Sequence, residues 1–290
     1  MLSYQHIFHA GNHADILKHY VLMFVLNSLN KKEKPYTFFD THSGSGLYDL
    51  LDNRSLKTNE AEKGILHILN NNDDSNFYFD FIKAFIDNKQ YPGSPVIELK
   101  TLRKSDFLVL SELHPQEYCN LKNNINILKD ENNCSVAVHN RNGWEMLKAL
   151  TPPKTKRGAV LIDPSYEEIK DYEDAAETIV HVNKKWNNGI ILLWYPLLNH
   201  RSQIIENMLN QIIEGCKKNN QNIEISNLQL LVDEKDAHKE VALKEFLEHS
   251  EDKKNPPRLY GSGMLVINSP WMLKDSTEAF INDIEKIIRR

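Results

Sequence analysis

Residues 36–46 read YTFFDTHSGSG, an apolar run followed by two closely spaced glycines. Pro35 ends any preceding helix, and the apolar run that follows it up to Asp40 predicts a short buried strand. Gly44 and Gly46 come next, and glycines there permit a tight turn and close approach of a ligand to the backbone. Only Gly-x-Gly is present, without the third glycine of a dinucleotide fingerprint, so an ordinary turn is the alternative.

Outward from this stretch, the chain alternates between helical and strand patterns. Asn12 is predicted to cap a helix over 13–30, where apolar residues recur at helical spacing. Further strands are predicted at 107–110, 135–138, 158–162, 189–193, 224–232 and 263–267, and further helices at 118–129, 143–150, 172–185 and 203–217. Strands separated by helices of this length predict a parallel, doubly wound α/β sheet.

One long segment interrupts this alternation. Residues 47–104 contain two helical patterns, at 59–69 and 77–88, joined by an asparagine-rich link. We expect them to form an inserted helical subdomain in a core built from 1–46 and 105–290. A second segment, 233–258, is highly charged and is expected to be an exposed helix with a flexible tail.

The composition is that of a globular protein without covalent cross-links. Of its 290 residues, 41% are hydrophobic and 26% charged, and the three cysteines form no Cys-x-x-Cys pair. A disulfide framework and a thiolate zinc site are therefore not expected. The net charge of −5 argues against coating of nucleic acid by bulk electrostatics, but it allows an enzyme that grips one nucleotide. No signal peptide or membrane span is evident, which predicts a cytoplasmic protein.

Acidic residues stand at the ends of two further predicted strands. Glu112 could accept hydrogen bonds from ribose hydroxyls, although a solvated glutamate at a strand end is the alternative. Asp163-Pro164-Ser165-Tyr166 follows the strand at 158–162. Asp163 and the Pro164 carbonyl could accept the hydrogens of an adenine N6 amine, with Tyr166 stacked on the flipped base. An ordinary Asp-Pro-Ser turn is the alternative here. The order of the strand ends favours the catalytic interpretation.

The N-terminal segment is rich in histidine, which first suggests a metal site. His9 and His13 are four residues apart, but no rigid helix is expected before Gly11 and no glutamate occupies a zincin position. We therefore predict no metal here. Backbone donors, Lys18 and His19 are expected to contact an anionic or polar ligand instead.

Several uncommon sequence blocks follow one another in order along nearly the whole chain. They are Tyr4 and residues 8–19, 40–46, 91–95, 111–115, 163–166, 194–196 and 261–264. Together they closely resemble the bacterial 23S rRNA (adenine2030-N6)-methyltransferases. The resemblance implies a class I (Rossmann-like) methyltransferase fold, with a seven-stranded, mostly parallel sheet and a small helical insertion. It implies S-adenosylmethionine as cofactor and S-adenosylhomocysteine as product. It also implies 23S ribosomal RNA as substrate, naked or in an assembly intermediate, without an obligate protein partner.

The resemblance also implies roles for individual residues. The implied cofactor contacts are Lys18, His19, His42, Ser94, Glu112, Asn142, Gly143 and Asp163. Asp163 would also be the catalytic acceptor, and Tyr4 would contact the RNA. Two departures are evident, since Ser165 replaces the second proline of the usual Asp-Pro-Pro-Tyr and Asn142 replaces an aspartate. Segment 233–258 is also longer than is usual in the family.

Three other functions remain as alternatives. A nicotinamide-dependent oxidoreductase would share the sheet, but the missing glycine and the Asp-Pro-Ser-Tyr end argue against it. A DNA adenine-N6 methyltransferase would share the chemistry, but no domain-sized segment beyond Tyr166 is left to read a DNA sequence. A non-catalytic ribosome-assembly factor is the third alternative, and the retention of Asp163 and Tyr166 argues against it.

Overall fold

The computed structural model describes residues 4–72, 75–131, 133–233 and 259–288. Apart from Asp233, the charged segment predicted to be an exposed helix lies outside these ranges.

The described residues form nine strands and ten α-helices. The strands are β1 (Thr37–Asp40), β2 (Leu47–Asp49), β3 (Gln90–Pro92), β4 (Phe107–Ser111), β5 (Ser135–His139), β6 (Gly158–Ile162), β7 (Ile190–Leu197), β8 (Ile225–Leu231) and β9 (Gly261–Ile267). The helices are α1 (His13–Asn30), α2 (Asn53–Thr58), α3 (His67–Asn71), α4 (Phe77–Ile86), α5 (Ser94–Thr101), α6 (Pro115–Leu128), α7 (Gly143–Leu150), α8 (Ile169–Lys185), α9 (Ser202–Asn219) and α10 (Leu273–Ile288). A π-helical turn, Glu62–Leu66, precedes α3.

Seven of the strands form one twisted sheet in the order β5-β4-β1-β6-β7-β9-β8. Every pairing is parallel except those of β9, which runs antiparallel to both β7 and β8. The predicted doubly wound α/β sheet is therefore confirmed. Strand β1 is central, and Asp40 lies opposite Leu110 on one side and Leu161 on the other. The chain reverses its direction across the sheet at β1, so the carboxyl ends of β1, β4 and β6 border one crevice.

Helix α1 begins where the sequence predicts. The Asn12 side chain accepts hydrogen bonds from the backbone N–H groups of Ala14 and Asp15, at 2.9 and 3.1 Å. These are two of the donors that a helix start leaves unpaired. The helix is buried over most of its length and packs against β9, α5 and α10. It therefore carries Lys18 and His19 to the crevice on a rigid element.

The predicted insertion contains more than helices. Strands β2 and β3 pair antiparallel into a separate two-stranded sheet, with Leu47 opposite Pro92. Helices α2 to α4 lie between them in the chain, whereas α5 packs against α1 and against the main sheet at β1 and β4. The boundary proposed at residue 104 stays a prediction. No helix is predicted after residue 267, yet α10 is present and packs against α1 and β8.

The start of α7 is packed tightly against the turn that follows β1. A Cβ atom added to Gly143 would lie 2.1 Å from the Thr41 carbonyl oxygen and 2.8 Å from the Thr41 Cβ. Contacts this short do not occur between real atoms, so any larger residue at position 143 would push α7 away from β1.

We expect Gly143→Ala to lower the free energy of unfolding by about 1–3 kcal/mol, the usual cost of overpacking a well-packed interior. Urea denaturation of the purified chain measures this change. Ser202→Ala is the control, because Ser202 is the exposed first residue of α9. Equal midpoints for the two variants would show that the contact with Thr41 is not constrained.

Candidate functional site

A pocket lies at the carboxyl ends of β1, β4 and β6. It brings together seven of the residues predicted for the site: Tyr4, Lys18, His19, His42, Ser94, Glu112 and Asp163. Five other residues complete the lining: His6, Ser43, Gly44, Tyr48 and Glu117. Four predicted residues are not part of the lining: Asn142, Gly143, Pro164 and Tyr166. Asn142 caps α7 by accepting a hydrogen bond from the Glu145 N–H at 3.1 Å.

The turn after β1 requires glycine. Gly44 and Gly46 adopt φ angles of 57° and 77°, in the left-handed region that glycine enters without a steric penalty. A Cβ atom on Gly44 would also collide with the Tyr48 hydroxyl. The predicted glycine turn is confirmed, and Gly44 lies in the lining of the pocket.

Glu112 contacts this turn directly. One carboxylate oxygen accepts a hydrogen bond from the Gly44 N–H at 2.8 Å, and the other accepts one from the His114 N–H at 2.7 Å. Burial raises the pKa of Glu112, and these two hydrogen bonds oppose the rise. A carboxylate offers about four acceptor positions, so Glu112 retains capacity for hydroxyl donors of a ligand.

Asp40 ties α5 to the same turn from below. Its carboxylate accepts hydrogen bonds from the Ser94 hydroxyl at 2.7 Å and from the His42 N–H at 3.1 Å. Burial raises the pKa of Asp40 to about 6, against the effect of these two donors. The predicted residues Ser94 and His42 are thus fixed by one buried carboxylate.

A buried ion-pair network connects α1 to the end of β6. The Lys18 ammonium lies 2.8 Å from an Asp15 oxygen and 2.6 Å from an Asp163 oxygen, and its side chain is only 6% exposed. Burial alone would lower the pKa of Lys18, but the two carboxylates outweigh burial and raise it. Lys18 is therefore charged and holds Asp163 at the pocket wall.

The other end of this network reaches the N-terminal segment. Asp15 also contacts His6 Nε2 at 2.9 Å and accepts a hydrogen bond from the Gly11 N–H at 2.9 Å. Burial would raise the pKa of Asp15, but its interactions with His6 and Lys18 outweigh burial and lower it. The residues before α1 are thus tied to the same carboxylate that holds Lys18.

Two histidines of the pocket are neutral at physiological pH. Burial lowers the pKa of His19 to about 3 and that of His42 to about 4. His19 Nδ1 is hydrogen-bonded to the Tyr91 hydroxyl at 3.0 Å, and its buried Nε2 has no hydrogen-bond partner among the described residues. His42 Nδ1 is hydrogen-bonded to the Thr41 hydroxyl at 2.8 Å.

Tyr4 lies at the rim of the pocket. Its side chain is 39% exposed, and its hydroxyl is hydrogen-bonded to His6 Nδ1 at 2.9 Å. The ring stacks on the His9 ring, with centroids 5.6 Å apart and planes 11° from parallel. A partly exposed aromatic ring is therefore present at the rim of the pocket.

Residues 163–167 continue from β6, and we call them the catalytic loop because the sequence predicts catalysis by Asp163. Tyr166 has a φ of 53°, an uncommon conformation for a bulky residue that costs about 1–3 kcal/mol. Its ring is 3% exposed and packs against Tyr172, and its hydroxyl donates to the Trp194 carbonyl at 2.9 Å. Stacking of this ring on a base stays a prediction, since it requires the ring face to become uncovered.

Of the five lining residues outside the predicted set, two have roles that depend on distant parts of the chain. Glu117, on α6, is 4% exposed and accepts a hydrogen bond from the Ser45 hydroxyl. His6 reaches the pocket through Asp15. In the sequence, Glu117 looks like a solvated helix residue and His6 like one histidine among several. An acidic residue three positions after the helix cap His114 is the only local sequence signal for Glu117.

No cluster of three or more His, Cys, Asp or Glu side chains suited to a metal ion occurs in the described ranges. The absence of a metal stays a prediction. None of the helices described is long and apolar enough to cross a membrane.

Comparison with known proteins gives the family. The family model described as "Ribosomal RNA large subunit methyltransferase D, RlmJ" matches residues 33–289. The chain belongs to this family. A Haemophilus influenzae protein named "Ribosomal RNA large subunit methyltransferase J" is 35% identical over 99% of this chain and 94% of its own length. The Escherichia coli protein of that name is 36% identical over 94% of this chain and 89% of its own.

A solved structure supports the same fold. A crystal structure of a Legionella pneumophila protein is 28% identical to this chain, with a TM-score of 0.75, and covers 97% of this chain and 94% of its own. Together with the strand order, family membership confirms the predicted class I (Rossmann-like) methyltransferase fold.

The histidine environments predict a clear contrast in titration. The His42 imidazole should stay neutral between about pH 5.5 and 8, because its burial opposes the charged form. His9 should titrate above the ordinary histidine range, because its pairing with Glu60 at 2.9 Å outweighs burial and raises its pKa. Nitrogen-15 NMR titration measures both, with His42→Gln and His9→Gln for assignment. A His42 that titrates near pH 6.5 would contradict the buried site.

Proposed function

We propose that this protein transfers a methyl group from S-adenosylmethionine to the N6 amine of A2030 in 23S ribosomal RNA, naked or in an assembly intermediate. The single observation that carries the proposal is the position of Asp163. Its carboxylate lies at the end of β6, on the wall of a pocket that also contains the glycine turn and Glu112. Support for ribosomal RNA as the substrate comes from the relatives named as ribosomal RNA large subunit methyltransferases.

The pocket has groups suited to a nucleoside-type cofactor. Glu112 retains acceptor positions for ribose hydroxyls, and the glycine turn permits close approach of a ligand. The buried His19 Nε2, which has no hydrogen-bond partner among the described residues, offers one further polar contact. We assign Lys18, His42 and Ser94 to the same site. Asn142 and Gly143, at the start of α7, are assigned to the adenine of the cofactor. When bound, S-adenosylmethionine supplies an electrophilic methyl group on sulfur.

Adenine N6 is a weak nucleophile because its lone pair is delocalised into the ring. In our proposal the Asp163 carboxylate and the Pro164 carbonyl accept the two N6 hydrogens, so that the amine becomes pyramidal and its lone pair points at the methyl group. With the cofactor bound, N6 would take the methyl group and S-adenosylhomocysteine would be the leaving product, while Asp163 would accept the excess N6 proton.

Lys18 supports this role of Asp163. Its ammonium occupies one Asp163 oxygen at 2.6 Å, which fixes the carboxylate and leaves the second oxygen for the amine. Since Asp15 neutralises the same ammonium from the other side, the cation does not stand unbalanced in the pocket. We assign Lys18 to positioning of the carboxylate as well as to the cofactor site.

We assign two aromatic residues to the substrate. Tyr4 lies at the pocket rim with an exposed ring, which suits stacking on an unpaired nucleotide of RNA. Tyr166 is assigned to the flipped adenine, once its ring is uncovered.

Replacing Asp163 by asparagine should lower methyl transfer at least about a hundredfold. A neutral amide lacks the negative charge that stabilises the positive charge developing on N6. Single-turnover transfer to unmodified 23S rRNA measures the rate, and thermal unfolding checks the fold. Asp174→Asn is the control, since Asp174 pairs with exposed Lys170 on α8, outside the pocket. A variant at position 163 that keeps more than about a tenth of the wild-type rate would remove Asp163 from catalysis.

Replacing Glu112 by alanine should weaken binding of S-adenosylhomocysteine roughly ten- to a hundredfold, because a charged hydrogen bond is worth about 1.5–3 kcal/mol. Isothermal calorimetry measures the affinity. Glu145→Ala serves as the comparison, because the Glu145 side chain is 70% exposed on α7. Wild-type affinity in the Glu112 variant would place the ribose elsewhere.

A further inference from the structure

Arg201 contacts the far end of the catalytic loop. It ends the short helical turn Asn199–Arg201 that follows β7. Its Nη1 donates to the Tyr166 carbonyl, and its Nη2 donates to the Glu167 carbonyl at 3.2 Å. Two consecutive carbonyls of the loop are thus bound by one side chain that lies more than 30 residues away in sequence.

We propose that Arg201 is a positioning residue for methyl transfer, which fixes the catalytic loop so that Asp163 and the Pro164 carbonyl meet the N6 amine. The proposal rests on the function proposed above for this loop. Lys18 holds the start of the loop through Asp163, and Arg201 holds its end through Tyr166 and Glu167. The Pro164 carbonyl lies between these two anchors.

The contact geometry favours arginine over other cations. A guanidinium is a rigid, planar fork with several N–H donors, so it can serve two carbonyls at once, whereas an ammonium is a point charge on a flexible stem. The Arg201 guanidinium also lies over the Tyr172 ring, 5.7 Å from its centroid. Tyr172 in turn packs against the Tyr166 ring, with centroids 4.5 Å apart. Arg201 therefore supports both the backbone and the side-chain packing of Tyr166.

The loop requires such support because its own residues do little to fix its backbone conformation. Tyr166 holds a left-handed φ of 53°, and a conformation of this kind persists only where the surroundings enforce it. Ser165 before it is exposed, and no ring fixes its φ as the ring of a proline would. The Ser165 N–H donates to none of the described residues, so a proline at that position would remove no hydrogen bond to them.

The test compares four variants of the full chain: Arg201→Ala, Ser165→Pro, the double variant and Lys170→Ala. Lys170 is an exposed cation at the start of α8 that pairs with Asp174, so its loss controls for reduced attraction of RNA. Chymotryptic cleavage of the folded chain after Tyr166, mapped by mass spectrometry, reports on the loop without any need for activity. Single-turnover methyl transfer to 23S rRNA, S-adenosylhomocysteine affinity and thermal unfolding complete the set.

We expect Arg201→Ala to speed cleavage after Tyr166 roughly tenfold, because local opening becomes easier. Methyl transfer should fall roughly ten- to a hundredfold, as small misplacements of reacting groups cost that much, while cofactor affinity and the melting temperature stay near wild type. Ser165→Pro in the Arg201→Ala background should slow the cleavage again and restore part of the transfer rate. Lys170→Ala should leave both rates unchanged.

Wild-type cleavage and transfer in Arg201→Ala would overturn the proposal. A general loss of stability, with no selective cleavage after Tyr166 and no rescue by Ser165→Pro, would also overturn it. That pattern is expected of an arginine with a merely structural role. If the wild-type chain itself transfers no methyl group to RNA, the proposed function fails. The cleavage data would still decide whether Arg201 fixes the loop.

Discussion

The site depends on the parallel pairing of β1 with β4 on one side and β6 on the other. This pairing places Asp40 opposite Leu110 and Leu161, so the polar residues that follow the three strands meet at one edge of the sheet. The 66 positions between Gly46 and Glu112 (112 minus 46) therefore do not separate them, since the Gly44 N–H donates directly to Glu112. Hydrogen bonds between strand ends, and not proximity in sequence, build the pocket.

Charges that are expensive to bury are balanced around this pocket. Lys18 lies between Asp15 and Asp163. Asp15 also contacts His6 Nε2 and accepts a hydrogen bond from the Gly11 N–H. A buried charge without partners would cost several kcal/mol, so removal of one member leaves the others uncompensated. The same contacts connect the segment before α1 to the catalytic loop. An aromatic residue at that segment's start, Tyr4, therefore comes to the rim of the same pocket.

The sequence predicted most elements of the main sheet because their signals are local. The Asn12 cap and the apolar spacing of 13–30 define α1, and the uninterrupted apolar run at 158–162 defines β6. It did not predict β2 and β3, which are three residues each and pair across about forty positions of chain. Helix α10 has apolar residues at helical spacing from Leu273 to Ile287, but this pattern was missed. Glu117 and Arg201 were not found because their roles lie in contacts with distant backbone and hydroxyl groups.

In our proposal, an adenine of ribosomal RNA is methylated in the pocket at the carboxyl ends of β1, β4 and β6. The most direct measurement is incubation of the wild-type chain with unmodified 23S rRNA and methyl-labelled S-adenosylmethionine, followed by nuclease digestion and mapping of the labelled nucleotide. We expect a single N6-methyladenosine at A2030. Label at another nucleotide or atom, label that prefers adenines of DNA, or no label from a folded protein that binds S-adenosylhomocysteine would contradict it.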